Sequence, residues 1–199
     1  ICGSGIIEVL GEMYLSGVIN TDGVIDGELI NRSDRIVEDG RTFSYVLHAG
    51  SVTITITQND VRAIQLAKAA LYAGVRLLMD KLNVDKIDRI RLAGAFGSHI
   101  DVKYAMVLGL IPDCAIENVT SAGNAAGSGA HIALVDSNAR LEIEREVRRI
   151  EKIETAVESR FQEHFIEAMA IPHKTASYPE LSKVVSWPAQ SESKESVPL

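Results

Sequence analysis

The sequence predicts an α/β fold, and three observations carry that prediction. A strand, a turn of small residues and a helix recur twice within about 50 residues. The first unit is Ile87–Ala93 running into Gly94-Ala95-Phe96-Gly97, and the second is Ile116–Ser121 running into Gly123-Asn124-Ala125-Ala126-Gly127-Ser128-Gly129-Ala130. Seven of the 15 glycines fall in three short motifs: Gly3 and Gly5, Gly94 and Gly97, then Gly123, Gly127 and Gly129. Glycine at a strand-to-helix junction lets backbone approach a ligand closely. Between the first motif and the second lies one long amphipathic helix with a capping signal at its start.

The elements follow in order. Ile6, Leu10, Met13 and Tyr14 recur at helical spacing over 4–16, with Ser4 placed to cap and Gly17 to stop. Residues 17–34 are turn-rich. Arg35–Glu38 and Phe43–His48 are expected strands joined in a hairpin at Asp39-Gly40, and Ser51–Thr57 alternates as a third strand. Thr57-Gln58-Asn59-Asp60 matches a capping box. The helix it opens carries Val61, Ile64, Ala67, Leu71, Val75, Leu78 and Leu82 as an apolar stripe ending near Asn83. Its other faces carry Arg62, Gln65, Lys68 and Arg76, a pattern that reads as a solvated face. Asp101 is placed to cap a short helix ending at Gly109, and the third glycine motif opens a helix running through Val135. From Arg140 to Glu167, 14 of 28 residues are charged, with Leu141, Val147, Ile150 and Ile153 as the seam of a surface helix. Phe161, Phe165 and Met169 face inward from a following helix. Residues 1–172 are expected to form one lobe, and the Pro- and Ser-rich stretch 173–199 a tail with Trp187 as its anchor.

Composition excludes several functions. With 46% apolar residues the 199-residue chain fills a sizeable core, while 20 Lys and Arg against 27 Asp and Glu give a net charge of −7. That balance speaks against a nucleic-acid binder, which wants a basic stripe. Cys2 and Cys114 are too few for a disulfide framework or an iron–sulfur cluster. No apolar run approaches the ~18 residues of a membrane span. The expectation is a cytoplasmic domain without membrane or nucleic-acid partners. The chain opens on Ile1 rather than Met and is read as a piece of a longer protein.

The glycine turns carry the chemistry. A Gly-Ala-Phe-Gly turn after a buried strand offers flat backbone to an adenine ring or ribose. Gly123, Asn124 and Gly127 bring a helix N-terminus, with its unpaired N–H groups, close to whatever fills the cleft. Close packing of a Gly- and Ala-faced helix against another helix explains the same residues equally well. Gly3, Ser4 and Gly5 form a further anion candidate at a helix start, beside Cys2. There is no P-loop, and the five histidines show no i, i+4 pair at metal spacing. No catalytic residue stands out.

Three stretches together resemble one family closely: Ile54–Arg62 with Gln65-Leu66-Ala67-Lys68-Ala69, Leu92-Ala93-Gly94-Ala95-Phe96-Gly97 with Ile100-Asp101, and Gly123–Ala130. The resemblance is to the C-terminal ATPase domain of ATP-dependent reductive activators of corrinoid proteins, and it covers about residues 1–172. It implies an actin-like, ribonuclease H-like lobe: a mixed sheet flanked by helices, with a helical C-terminal segment. It implies that Leu92–Gly97 is the adenosine turn and that Ser121–Ala130 is the hinge helix between lobes. On the same resemblance Gln65 and Lys68 flank base and ribose, and Gly3, Ser4 and Gly5 lie near the phosphates. The implied cofactors are ATP and Mg²⁺. A [2Fe–2S] cluster is expected only in an N-terminal domain beyond this sequence, and the Asp-Gly phosphate loops upstream of it. The implied partner is a corrinoid protein or corrinoid-dependent methyltransferase, with a homodimer as a further assembly. The full-length protein would then be a weak ATPase that returns Co(II) corrinoid to Co(I), and the isolated chain would hydrolyse ATP weakly or not at all. Two alternatives share these residues: an actin-like kinase or activator for another substrate, and a non-catalytic interaction module built on the charged 140–167 region.

Overall fold

A computed structural model describes residues 1–188; the Ser191-Glu192-Ser193 run and Pro198 of the expected tail lie outside the described residues. The first helix, α1, spans Gly3–Leu15. Cys2 rather than Ser4 holds its N-cap position, with no side-chain cap, because Ser4 already lies inside the first turn. Gly17 ends the helix at φ +76°, and Ile7, Leu10, Met13 and Tyr14 are buried.

Strands β1 (Ile36–Asp39), β2 (Thr42–His48) and β3 (Ile54–Thr57) form an antiparallel sheet in that order. Asp39 faces Thr42 across the hairpin, and Gly40 supplies the φ of +64° that its first turn position requires. Beneath it, the turn-rich segment packs Gly27 under the Phe43 ring, where an added Cβ would lie 2.1 Å from Cε2. A larger side chain there would have to displace the ring.

Helix α2 (Gln58–Leu82) starts on the expected capping box. The Thr57 hydroxyl accepts from the Asp60 N–H at 3.1 Å, and the Asp60 carboxylate accepts from the Thr57 N–H at 2.8 Å. Asn83 closes the helix in the left-handed region at φ 52°. Its buried face differs from the one periodicity selects. Val61, Gln65, Lys68, Ala69, Tyr72, Ala73, Leu77 and Met79 are buried, while Leu71, Leu78 and Leu82 of the expected stripe are exposed. The helix is apolar on more than one side, so hydrophobicity alone does not choose its inner face. Partners for the two polar side chains decide it, as described below.

Strands β4 (Ile90–Ala93) and β5 (Val119–Gly123) form a separate parallel pair. The helices between them are short: α3 (Ala95–His99) and α4 (Val102–Val107), the latter capped by Asp101, whose Oδ1 accepts from the Lys103 N–H at 2.8 Å. Helix α5 (Ala125–Val135) follows β5. The charged region divides into α6 (Ser137–Val147) and α7 (Ser159–Glu167). The seam expected on α6 is not buried: Leu141, Val147 and Ile150 all face outward. Helix α7 instead packs on α2, where Asp80 gathers His164 Nε2 at 2.6 Å, Arg160 at 3.1 Å and Arg76 at 3.3 Å.

Packing continues past Pro172. Tyr178 and Leu181 are buried, Asp113 accepts from the N–H groups of Glu180 and Leu181 at 2.9 Å, and Trp187 meets Tyr14 edge-on. Residues 173–188 therefore belong to the same core as α1 and α4 rather than trailing from it.

Candidate functional site

Both strands of the strand–turn–helix units lead into a glycine at positive φ. Gly94 leaves β4 at φ +101°, ψ 168°, a region essentially reserved for glycine, and Gly123 leaves β5 at φ +61°. The two exits are joined directly, since the Gly94 N–H donates to the Gly123 carbonyl at 2.8 Å. Ser121 Oγ donates to Ser98 Oγ at 3.1 Å, and Ser98 Oγ donates to the Gly94 carbonyl at 2.9 Å. The first motif, at Gly3, reaches the same place. An added Cβ on Gly3 would sit 3.2 Å from the Phe96 ring, so the start of α1 lies against the turn between β4 and α3. Gly3–Gly5, Gly94–Gly97 and the Gly123 turn thus converge.

The surface they form is shaped for backbone recognition. At Gly94 and Gly123 an added Cβ would meet no atom within 4 Å, so the strand exits open outward. Asn124 caps α5 by accepting from the Gly127 N–H at 2.9 Å, and its amide lies over Gly127, leaving no room there for a Cβ. Gly97 packs tightly under Leu92, which is the close-packing role for that glycine. The opening N–H groups of α1 have no side-chain cap, which favours a negative charge there. The Ser4 hydroxyl, 3.4 Å from the Cys2 sulfur, holds that thiol below its ordinary pKa. Phe96 is 50% exposed and adds an apolar ring beside the turns.

Gln65 and Lys68 lie elsewhere. Gln65 is 2% exposed and donates its amide to the carbonyls of Asp22 at 3.0 Å and Met169 at 2.9 Å. Lys68 is 1% exposed and donates to the carbonyls of Ala170 and, at 2.8 Å, Pro172. None of these carbonyls belongs to a glycine turn. The expectation that both side chains flank base and ribose gives way to a clasp that ties residues 169–172 to α2. Burial pushes the Lys68 amine down to about 7, and a neutral amine carries two N–H bonds for the two carbonyls it meets. Beside the clasp, His173 stacks on Tyr72 and accepts from the N–H groups of Thr175 and Ala176. Burial and the neighbouring Lys68 charge lower it to about 4. The helix pattern marks Gln65 and Lys68 as exposed, and no sequence signal reports that carbonyls about 100 positions away will meet them.

A nucleotide fits this cluster in part. The open backbone at Gly94 and Gly123 suits a base and ribose, and the start of α1 suits a phosphate. Among the described residues no group of three His, Cys, Asp or Glu gathers to hold a metal ion. Asp101, the acid nearest the second motif in sequence, is spent capping α4. An iron–sulfur cluster does not fit the chain's cysteines, since Cys2 is exposed and Cys114 is buried.

Comparison with known proteins places this geometry. Residues 1–182 match the family model described as the C-terminal domain of RACo, the ASKHA domain. The chain belongs to that family. Its fold is shared with a solved reductive activator for corrinoid, iron–sulfur protein, at a TM-score of 0.77 and 34% identity over 87% of this chain and 28% of that one. The corrinoid activation enzyme RamQ of Eubacterium limosum is 36% identical over 146 residues, which is 67% of this chain and 25% of RamQ. The chain therefore spans about a quarter of the length of these relatives. The ASKHA assignment makes the expected α/β, actin-like architecture correct, and an ASKHA domain implies nucleotide binding. No helix among the described residues is long and apolar enough to cross a membrane.

Proposed function

We propose that this ASKHA domain supplies nucleotide binding and partner docking to a cytoplasmic, ATP-dependent reductive activator that returns inactive Co(II) corrinoid proteins to Co(I). The observation that carries the reading is the convergence of three glycine motifs on one open surface in a member of this family. Relatives named for corrinoid activation support the substrate class.

Bound ATP would supply binding and hydrolysis energy for moving one lobe against another. The chain's own residues then divide the work. Gly94, Ala95, Phe96 and Gly97 receive the base and ribose on backbone and ring. Gly3, Ser4 and Gly5 direct the free N–H groups of α1 at phosphate. Gly123, Asn124 and Gly127 set the angle at which α5 leaves the sheet, so a change at the nucleotide is felt by α5 and the α6 that leans on it. Mg²⁺ would accompany ATP, with ligands that this cluster does not supply. The partner is a corrinoid protein or corrinoid-dependent methyltransferase, and the chain also self-associates as a homodimer. Gln65 and Lys68 contribute indirectly, by fixing the C-terminal segment.

Calorimetric titration of ATP into the purified chain tests the reading. Binding that is weakened about tenfold or more by Gly94→Val or Gly123→Val, and unchanged by the distant Leu78→Lys, is the expected result. No detectable binding to a folded chain would favour the non-catalytic module instead.

A further inference from the structure

We propose that the cleft between α2, α7 and residues 173–180 binds a small oxyanion, a phosphate or carboxylate carried on a flat apolar body. None of the residues lining this cleft belongs to a glycine motif, so the proposal stands apart from the nucleotide reading.

The cleft encloses about 690 Å³, a volume suited to a small molecule. Surplus positive charge lies at its α2–α7 side. Asp80 accepts from Arg76 at 3.3 Å, Arg160 at 3.1 Å and His164 Nε2 at 2.6 Å. One carboxylate, 9% exposed, therefore answers two guanidinium groups. Each guanidinium carries several N–H donors in a fixed fork, and Asp80 takes only part of them. Arg76 and Arg160 keep donors for a second oxyanion, already oriented by the first. Lys86 lines the same cleft and forms no ion pair among the described residues.

The acids lining the cleft are engaged elsewhere. Both Asp113 oxygens accept backbone N–H groups, from Glu180 and Leu181 at 2.9 Å. Glu180 pairs with Lys183 at 2.5 Å, and Glu167 accepts from the Thr175 hydroxyl at 3.2 Å. Asp85 stands fully in solvent, 3.9 Å from Arg76.

His173 supplies a neutral donor. Its Nδ1 accepts from the N–H groups of Thr175 at 3.1 Å and Ala176 at 2.9 Å, which places the ring proton on Nε2. Nε2 itself meets no partner among the described residues. Burial and the Lys68 charge, which lower its pKa to about 4, keep the ring neutral at pH 7. The Tyr72 ring lies 4.7 Å away, and Met79, Ile87 and Pro112 add apolar surface for the body of the ligand. Such a ligand touches α2, α7 and the C-terminal segment at once, so binding reinforces the Lys68 clasp and stabilises the chain by mass action.

Phenyl phosphate and benzoate, titrated into the 199-residue chain, test the site by ¹H–¹⁵N spectra and thermal melts. At least one should bind saturably and about tenfold or more tighter than inorganic phosphate or acetate. The His173 signals should shift, and the melting temperature should rise. Arg160→Gln should weaken binding by about fivefold or more, and Arg160→Lys by less. Lys86→Gln repeats the test at an exposed side chain that does not touch Asp80. No saturable binding below about 10 mM would overturn the proposal. So would equal affinity for phenyl phosphate and inorganic phosphate, or parental affinity in both Arg160→Gln and Lys86→Gln. Amide shifts confined to Gly3–Gly5, Gly94 and Gly123 would place the probe on the glycine cluster and overturn it as well.

Discussion

Lys68 is the side chain whose environment departs furthest from its appearance in the sequence. A lysine between Ala67 and Ala69 on a long helix reads as solvent-facing, yet it lies 1% exposed against two backbone carbonyls. Its folded pKa of about 7 is below the ordinary 10.5, so between those values the unfolded chain binds the extra proton. Stability therefore rises with pH from about 7 toward 10.5 and loses that contribution as pH falls through 7. The same sign holds for His173, lowered from 6.5 to about 4, whose contribution is lost as pH falls from about 6.5 to 4. Urea denaturation across pH 7–10 should show the rise, and Lys68→Met should flatten it. A second residue-scale outcome concerns Gly94. Its backbone is closed to other residues, so Gly94→Ala should cost about 1–3 kcal/mol of stability by thermal melt, with a fall in ATP affinity.

Among the elements, α2 shows how far pattern carries. Its start, its capping box and its end near Asn83 are all legible, because capping chemistry is local and depends on residues within one turn. Thr57→Ala should lower stability by about 1 kcal/mol, measured by chemical denaturation. Its inner face is not legible. Leu71→Lys and Leu78→Lys, which the apolar stripe marks as core losses, should stay within about 0.5 kcal/mol of the parent in this chain because both leucines are exposed. Near wild-type melts for both would confirm the rotated face, and a loss of several kcal/mol at either would refute it. The charged 140–167 region divides the same way. Its helical character is readable, whereas the packing of α7 on α2 depends on Asp80 collecting three cationic or ionisable partners from two helices.

At the scale of the whole molecule, three glycine motifs meet at one open surface, and no metal cluster gathers among the described residues. Purified on its own, it should bind ATP but hydrolyse it weakly or not at all; a phosphate-release rate equal to that of a full-length relative would refute this. The α/β class, the family, the hairpin at Gly40, the capping box of α2 and the glycine motifs are legible from residue order alone. Each of these rests on conformational preferences and hydrogen bonds that span a few residues, and motif order adds the rest. That Gly3 meets Phe96, that the Gly94 N–H reaches the Gly123 carbonyl, and that Gln65 and Lys68 turn inward while leucines remain outside emerges from long-range packing. Those outcomes depend on which distant carbonyls and rings arrive to satisfy or fill a site. A buried amine or amide is favourable only when such partners are present, and no local pattern announces them.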